Sequence, residues 1–178
     1  GSLAWEAVAF DPADGYSISS TGLLVDGKII SGLRCRGFGD NRCYIMAHDA
    51  ETGRELWRRY TTAGPGEPGG ETWADLDMIF RAGGDPWMTG TYDPELNLVF
   101  WGAAQAKPWH RESRETGNAS LLYTSATLAL DPDTGEPRWR VFSSRGKHAT
   151  FHSLALCEAS GYRPCLQEAC GRDEGFID

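Results

Sequence analysis

A chain of 178 residues, 40% hydrophobic and 11% aromatic, can bury one ordinary core. Its formal charge of -8, from 25 acidic and 17 basic side chains, leaves no basic stripe for gripping phosphate, so the expected partner is a small molecule or a protein rather than nucleic acid. No apolar run reaches the roughly 18 residues that a membrane-spanning helix needs, and the N-terminus shows neither the charged nor the apolar region of a signal peptide.

In chain order, Gly1-Ser2-Leu3-Ala4-Trp5 reads as the end of a hairpin whose fuller copies lie downstream, so the chain is expected to open just after a turn. Residues 22–25 and 28–32 are short apolar and β-branched runs joined by Asp26-Gly27, the strongest hairpin turn in the sequence. Residues 47–58 (AHDAETGRELWR) recur at 129–140 (ALDPDTGEPRWR), with the shared pattern A-x-D-x-[DE]-T-G-x-x-x-W-R. In each copy the Asp is expected to cap its own turn, the Gly to take positive φ, and the Trp to stand on the returning strand as a packing surface. Between the copies, residues 87–92 and 98–102 read as two strands joined by a turn at 93–97. Residues 64–72 and 104–121 read as insertions, the kind of long loop on which binding residues sit. No 3.6-residue period is convincing, so helix should be scarce. Residues 148–178 neither alternate nor repeat. Their Cys157, Cys165 and Cys170 match no standard zinc spacing, and the segment reads as an atypical, frameshifted or otherwise foreign tail.

Hairpins of this kind cannot bury both faces alone. The step from Trp5 to Trp57 suits one four-stranded blade, and the longer step from Trp57 to Trp139 leaves room for the insertions. The expected fold is all-β, with antiparallel sheets stacked as about two to three blades of a propeller.

Four stretches, in this order and spacing, resemble the alcohol dehydrogenases that carry pyrroloquinoline quinone (PQQ). They are Asp-Gly-Tyr-Ser (14–17), Ala-Gly-Pro-Gly-Glu-Pro-Gly (63–69), Gly-Gly-Asp-Pro-Trp-Met-Thr-Gly-Thr-Tyr-Asp-Pro-Glu-Leu-Asn-Leu (83–98) and Leu-Tyr-Thr-Ser-Ala-Thr-Leu-Ala-Leu-Asp-Pro-Asp-Thr-Gly (122–135). The likeness covers residues 1–147 and implies part of an eight-bladed β-propeller whose cofactor lies near the axis beside calcium. It puts Trp87 where an indole stacks on the quinone, against the alternative of a tryptophan packed between blades. It puts Ser19 where a hydroxyl bonds the quinone, the alternative being a serine bonded to its own turn. Gln105 falls where an amide oxygen binds calcium, the alternative being a solvated loop amide.

Two departures stand out. The calcium-binding Glu expected after Gly32 is missing, since Arg36 and Gly37 occupy the region and only Asp40 is near. The catalytic Asp expected after the second hairpin is also missing. The catalytic group is therefore unknown, with His152 a base only in principle. The resemblance also implies a periplasmic location, where disulfides persist, and Cys35 and Cys43 are expected to pair, with free thiols or a metal site as alternatives. The function expected is that of a piece of a PQQ-dependent dehydrogenase, inactive alone, whose complete form oxidises an alcohol to a carbonyl and passes electrons to an acceptor. The rival readings are a non-catalytic propeller scaffold and a degenerate pseudoenzyme.

Overall fold

The computed structural model describes residues 1–35, 41–117 and 119–142. The tail at 148–178, with His152 and its three cysteines, lies outside them.

The Asp26-Gly27 turn has positive φ at both central residues, +41° and +74°, as a tight two-residue hairpin requires. It joins β1 (Leu23–Val25) to β2 (Lys28–Gly32), with Leu23 opposite Ile30. Strands β3 (Tyr44–Asp49) and β4 (Glu55–Tyr60) complete an antiparallel sheet in the order β1-β2-β3-β4. A short pair follows, formed by β5 (Ala82–Gly83) and the later β8 (Ala106–Lys107). The second four-stranded sheet contains β6 (Thr91–Asp93), β7 (Leu98–Ala103), β9 (Ala126–Leu130) and β10 (Pro137–Phe142), in the order β10-β9-β7-β6. Helix is limited to one α-turn at Arg111–Arg114 and three short 3₁₀ segments among the described residues.

The two sheets share a core of Val25, Ile30, Ile45, Ala47 and Trp57 from the first and Val99, Trp101, Leu128 and Leu130 from the second. Alternation along each strand puts these side chains on one face. The turns that close β3–β4 and β9–β10 are built alike. Asp49 Oδ1 accepts from the backbone N–H of Glu51 and Thr52 at 3.0 and 2.8 Å, and Asp131 Oδ1 accepts from Asp133 and Thr134 at 2.9 and 3.1 Å. Gly53 and Gly135 close the turns at φ +73° and +70°.

Each of these glycines also receives a tryptophan. The Trp57 ring lies so close to Gly135 that an added Cβ would approach it to 2.5 Å, and its Nε1–H donates to the Pro132 carbonyl at 2.9 Å. Trp5 does the same at Gly53 and donates to the Ala50 carbonyl at 2.9 Å. The glycine therefore supplies both the backbone conformation and the flat seat for the indole.

One expected strand is shorter than its apolar pattern suggests. Residues 87–90 are not strand, and β6 begins only at Thr91. The backbone at Pro86 is drawn against Gly32, where a Cβ would clash with the Pro86 carbonyl, and that carbonyl accepts from Trp101 Nε1 at 3.0 Å instead of joining a ladder.

The two insertions fold onto each other. Ala63 N–H donates to Leu122 O at 2.7 Å, Leu121 N–H to Thr72 O at 3.1 Å, and the buried Trp73 indole to Leu122 O at 2.6 Å. Buried Arg81 ties the same region together through the carbonyls of Leu76, Ala63 and Gly70. These bonds satisfy backbone groups that burial would otherwise leave unpaired.

Candidate functional site

The loops after β2, before β6 and after β7 converge at one end of the sheets. Lacking strand partners, residues 86–89 are pinned by other contacts: Thr89 Oγ1–H donates to Thr21 O at 2.6 Å, and Ser19 Oγ–H lies 3.5 Å from Trp87 O. Ser19 and Trp87 are thus adjacent. The Trp87 indole is 46% exposed, so it does not pack in the core between the sheets.

Gln105 stands at the tip of the β7–β8 connection. Its backbone carbonyl accepts from Gly84 N–H at 3.1 Å, and Ala104 N–H donates to Asp85 O at 3.1 Å. The side chain is exposed. Gly83 is needed here at φ +102°, because a Cβ would approach Gln105 O to 2.5 Å.

Cys35 and Cys43 are joined in a disulfide with Cα atoms 5.4 Å apart, both buried. Beside it lies Asp85, 4% exposed, whose Oδ1 accepts from Cys35 N–H at 3.1 Å and from Lys107 Nζ at 2.8 Å. Lys107 Nζ also donates to Cys35 O at 3.0 Å. The ion pair therefore bridges the disulfide segment, the stretch before Trp87 and β8. Nothing in the sequence joins Asp85 and Lys107, although Asp85 stands in the stretch that carries Trp87 and Lys107 in the insertion that carries Gln105. The β5–β8 pairing and the Ala104 N–H bond to Asp85 O bring the two stretches together.

A cleft of about 650 Å³ opens against this cluster, lined by Tyr16, Ser17, Arg34, Cys35, Lys107 and Trp109 among others. Two cations and two aromatic rings on its wall suit a planar anion. Burial raises the Tyr16 phenol to about 12, helped by nearby Tyr44, so that hydroxyl stays protonated at neutral pH; it donates to Arg42 O at 3.1 Å.

The residues present fit a hard metal ion poorly. Calcium and its analogues require several oxygen ligands, preferably anionic. Among the described residues the one cluster of metal-type ligand atoms is Cys35, Cys43 and Asp85, and its two sulfurs are consumed by the disulfide. The remaining carboxylate already holds an ammonium.

Residues 2–143 match the sequence family described as the glucose/ethanol/alcohol dehydrogenase PQQ β-propeller domain. The chain is 37% identical over 163 residues to quinohemoprotein alcohol dehydrogenase ADH IIB of Pseudomonas putida, a match covering 85% of this chain and 23% of that protein. It is 29% identical to the lanthanide-dependent methanol dehydrogenase of Methylorubrum extorquens, covering 78% of this chain and 25% of that one. The solved structure of quinohemoprotein alcohol dehydrogenase ADHIIG from Pseudomonas putida superposes with a TM-score of 0.70 at 34% identity, over 80% of this chain and 22% of that chain. The chain thus spans about a quarter of the length of these relatives.

Proposed function

Because the chain belongs to the PQQ-type glucose/ethanol/alcohol dehydrogenase β-propeller family, we propose that it contributes one part of the cofactor chamber of a quinoprotein that oxidises an alcohol to a carbonyl and delivers electrons to an acceptor, in the periplasm. Bound PQQ supplies the two-electron acceptor chemistry. The chain's own residues bind and orient it. In this reading Trp87 is the floor on which the ring system lies, and Ser19 Oγ, beside the Trp87 carbonyl, is a hydroxyl within reach of the ring edge. Gln105 offers a neutral amide at the rim of the site. The Cys35–Cys43 disulfide fixes the backbone that the ion pair grips.

The observation that carries this reading is the Trp87 indole, held outside the core on a segment anchored by Ser19, Thr21 and Trp101 rather than by strand pairing. Titration of the chain with PQQ tests it. Saturable quenching of tryptophan fluorescence, lost in Trp87→Ala but retained in Trp5→Phe, whose indole sits on the remote Gly53 turn, is the expected outcome. Equal quenching in both variants would show that the ligand meets tryptophans at random.

A further inference from the structure

We propose that the Lys107 ammonium, held between Asp85 Oδ1 and the Cys35 carbonyl, supplies at this site the positive charge for which its lanthanide-dependent relative is named, so that a carboxylated planar quinone binds here without a metal ion. This rests on the cofactor reading above and deepens it.

Charge and geometry support it together. A hard cation needs several anionic oxygens, and the one buried carboxylate of the cluster already holds Lys107 at 2.8 Å. A metal placed there would face an ammonium across the same oxygen and be repelled by it. The ammonium, in contrast, is well placed. Among the described residues its ammonium donates to Asp85 and to Cys35 O, its side chain is 20% exposed, and it lines the cleft, which leaves it within reach of a ligand there.

Asp85 cancels the charge of Lys107 at long range but fixes its position at short range. Arg34, on the wall of the same cleft, adds a second cation beside Lys107. Tyr16 and Trp109 add aromatic surface for a flat ring. The match is to a planar molecule bearing carboxylates, held by charge-assisted hydrogen bonds.

The test is PQQ titration of the 178-residue chain by tryptophan fluorescence in the presence of chelator, then with added Ca²⁺ or Eu³⁺, for the chain itself and for Lys107→Gln and Lys107→Arg. The inference expects saturable binding in chelator, unchanged by either metal. It expects Lys107→Gln to weaken binding about tenfold or more, and Lys107→Arg to stay within a few-fold of the unaltered chain. Far-UV circular dichroism and thermal melts report whether each variant folds. Should Lys107→Gln fail to fold, Lys107→Arg together with the chelator comparison decides. Binding only when metal is added, or binding by folded Lys107→Gln equal to that of the unaltered chain, would overturn the inference while leaving the cofactor reading in place. Absence of saturable binding under every condition would overturn both.

Discussion

Single side chains set the chain's response to pH. The Thr52 hydroxyl and amide hold the Asp49 carboxyl below its usual range, and the Arg42 guanidinium does the same for Glu67. Burial pushes Asp131 up, but hydrogen bonds from Arg138 and two backbone amides outweigh it and leave the group lowered. Each carboxyl is thus more acidic folded than unfolded, so its contribution is present above the unfolded value of about 4 and is lost as pH falls through the lower folded value. Urea midpoints should be flat from about pH 7 to 5 and fall below about pH 4, with a shallower fall in Asp131→Asn. At the alkaline end Tyr16 carries the opposite sign. Its phenol ionises near 10 when unfolded but at about 12 when folded, so stability should drain away between those values. Tyr16→Phe should flatten that limb in urea melts at high pH, and an unchanged slope would mean that Tyr16 is not the buried phenol responsible. At this scale the Cys35–Cys43 disulfide could be expected from residue type and spacing, and Trp87, Ser19 and Gln105 stand as candidates from motif position. The Asp85–Lys107 pair could not, because neither residue is unusual in its own stretch.

Between elements, the contact that matters most is the tryptophan of one hairpin seated on the glycine of the next. Gly135→Ala introduces both a strained φ and a Cβ against the Trp57 ring, and should cost about 1–3 kcal/mol. Trp57→Ala removes the seated ring altogether and should cost about 3–5 kcal/mol, because it leaves a cavity between the sheets and an unbonded Pro132 carbonyl. Denaturant melts of both variants check the order, and a Gly135→Ala chain as stable as the parent would mean the indole does not dock there. The disulfide works more locally. Its reduction should speed amide exchange at Cys35 and Arg34, whose backbone bonds reach Asp85 and Ser17, while β9 and β10 keep their protection. Mass spectrometry of an unreduced digest should find Cys35 linked to Cys43 and to no other cysteine. The one strand that pattern reading overextended, at residues 87–90, shows the limit of periodicity: alternation describes a face, but this backbone is held by Trp101, Thr21 and the close approach of Gly32 rather than by a partner strand.

For the whole molecule, the chain alone should not oxidise alcohols even when supplied with PQQ and Ca²⁺. It spans about a quarter of the length of its relatives. Its candidate floor at Trp87 stands 46% exposed, where water screens the fixed dipoles that a closed chamber would aim at the reacting atoms. Large apolar side chains such as Val8 at 87%, Trp109 at 74% and Phe80 at 59% exposure also lie open to solvent, so self-association should grow with concentration in sedimentation experiments. Dye-linked turnover of ethanol by the purified chain, dependent on PQQ and abolished in Trp87→Ala, would refute this expectation.

Features that depend on neighbours along the chain are legible without the fold. The Asp26-Gly27 hairpin, the Asp-capped turns at Asp49 and Asp131, the positive φ of Gly53 and Gly135, and the strand alternation all follow from a few adjacent residues. The PQQ-propeller resemblance was likewise legible, because motif order survives in the linear chain. Which insertion closes on which, that Trp57 reaches the turn at Gly135, and that Asp85 meets Lys107 beside the disulfide emerge only once the sheets are packed. Lys107 and Asp85 stand 22 positions apart in the chain, and Trp57 and Pro132 stand 75 apart. Local propensity has no term for partners so distant, and their pairing is fixed by how the two sheets pack and by the need to satisfy every buried polar group at once.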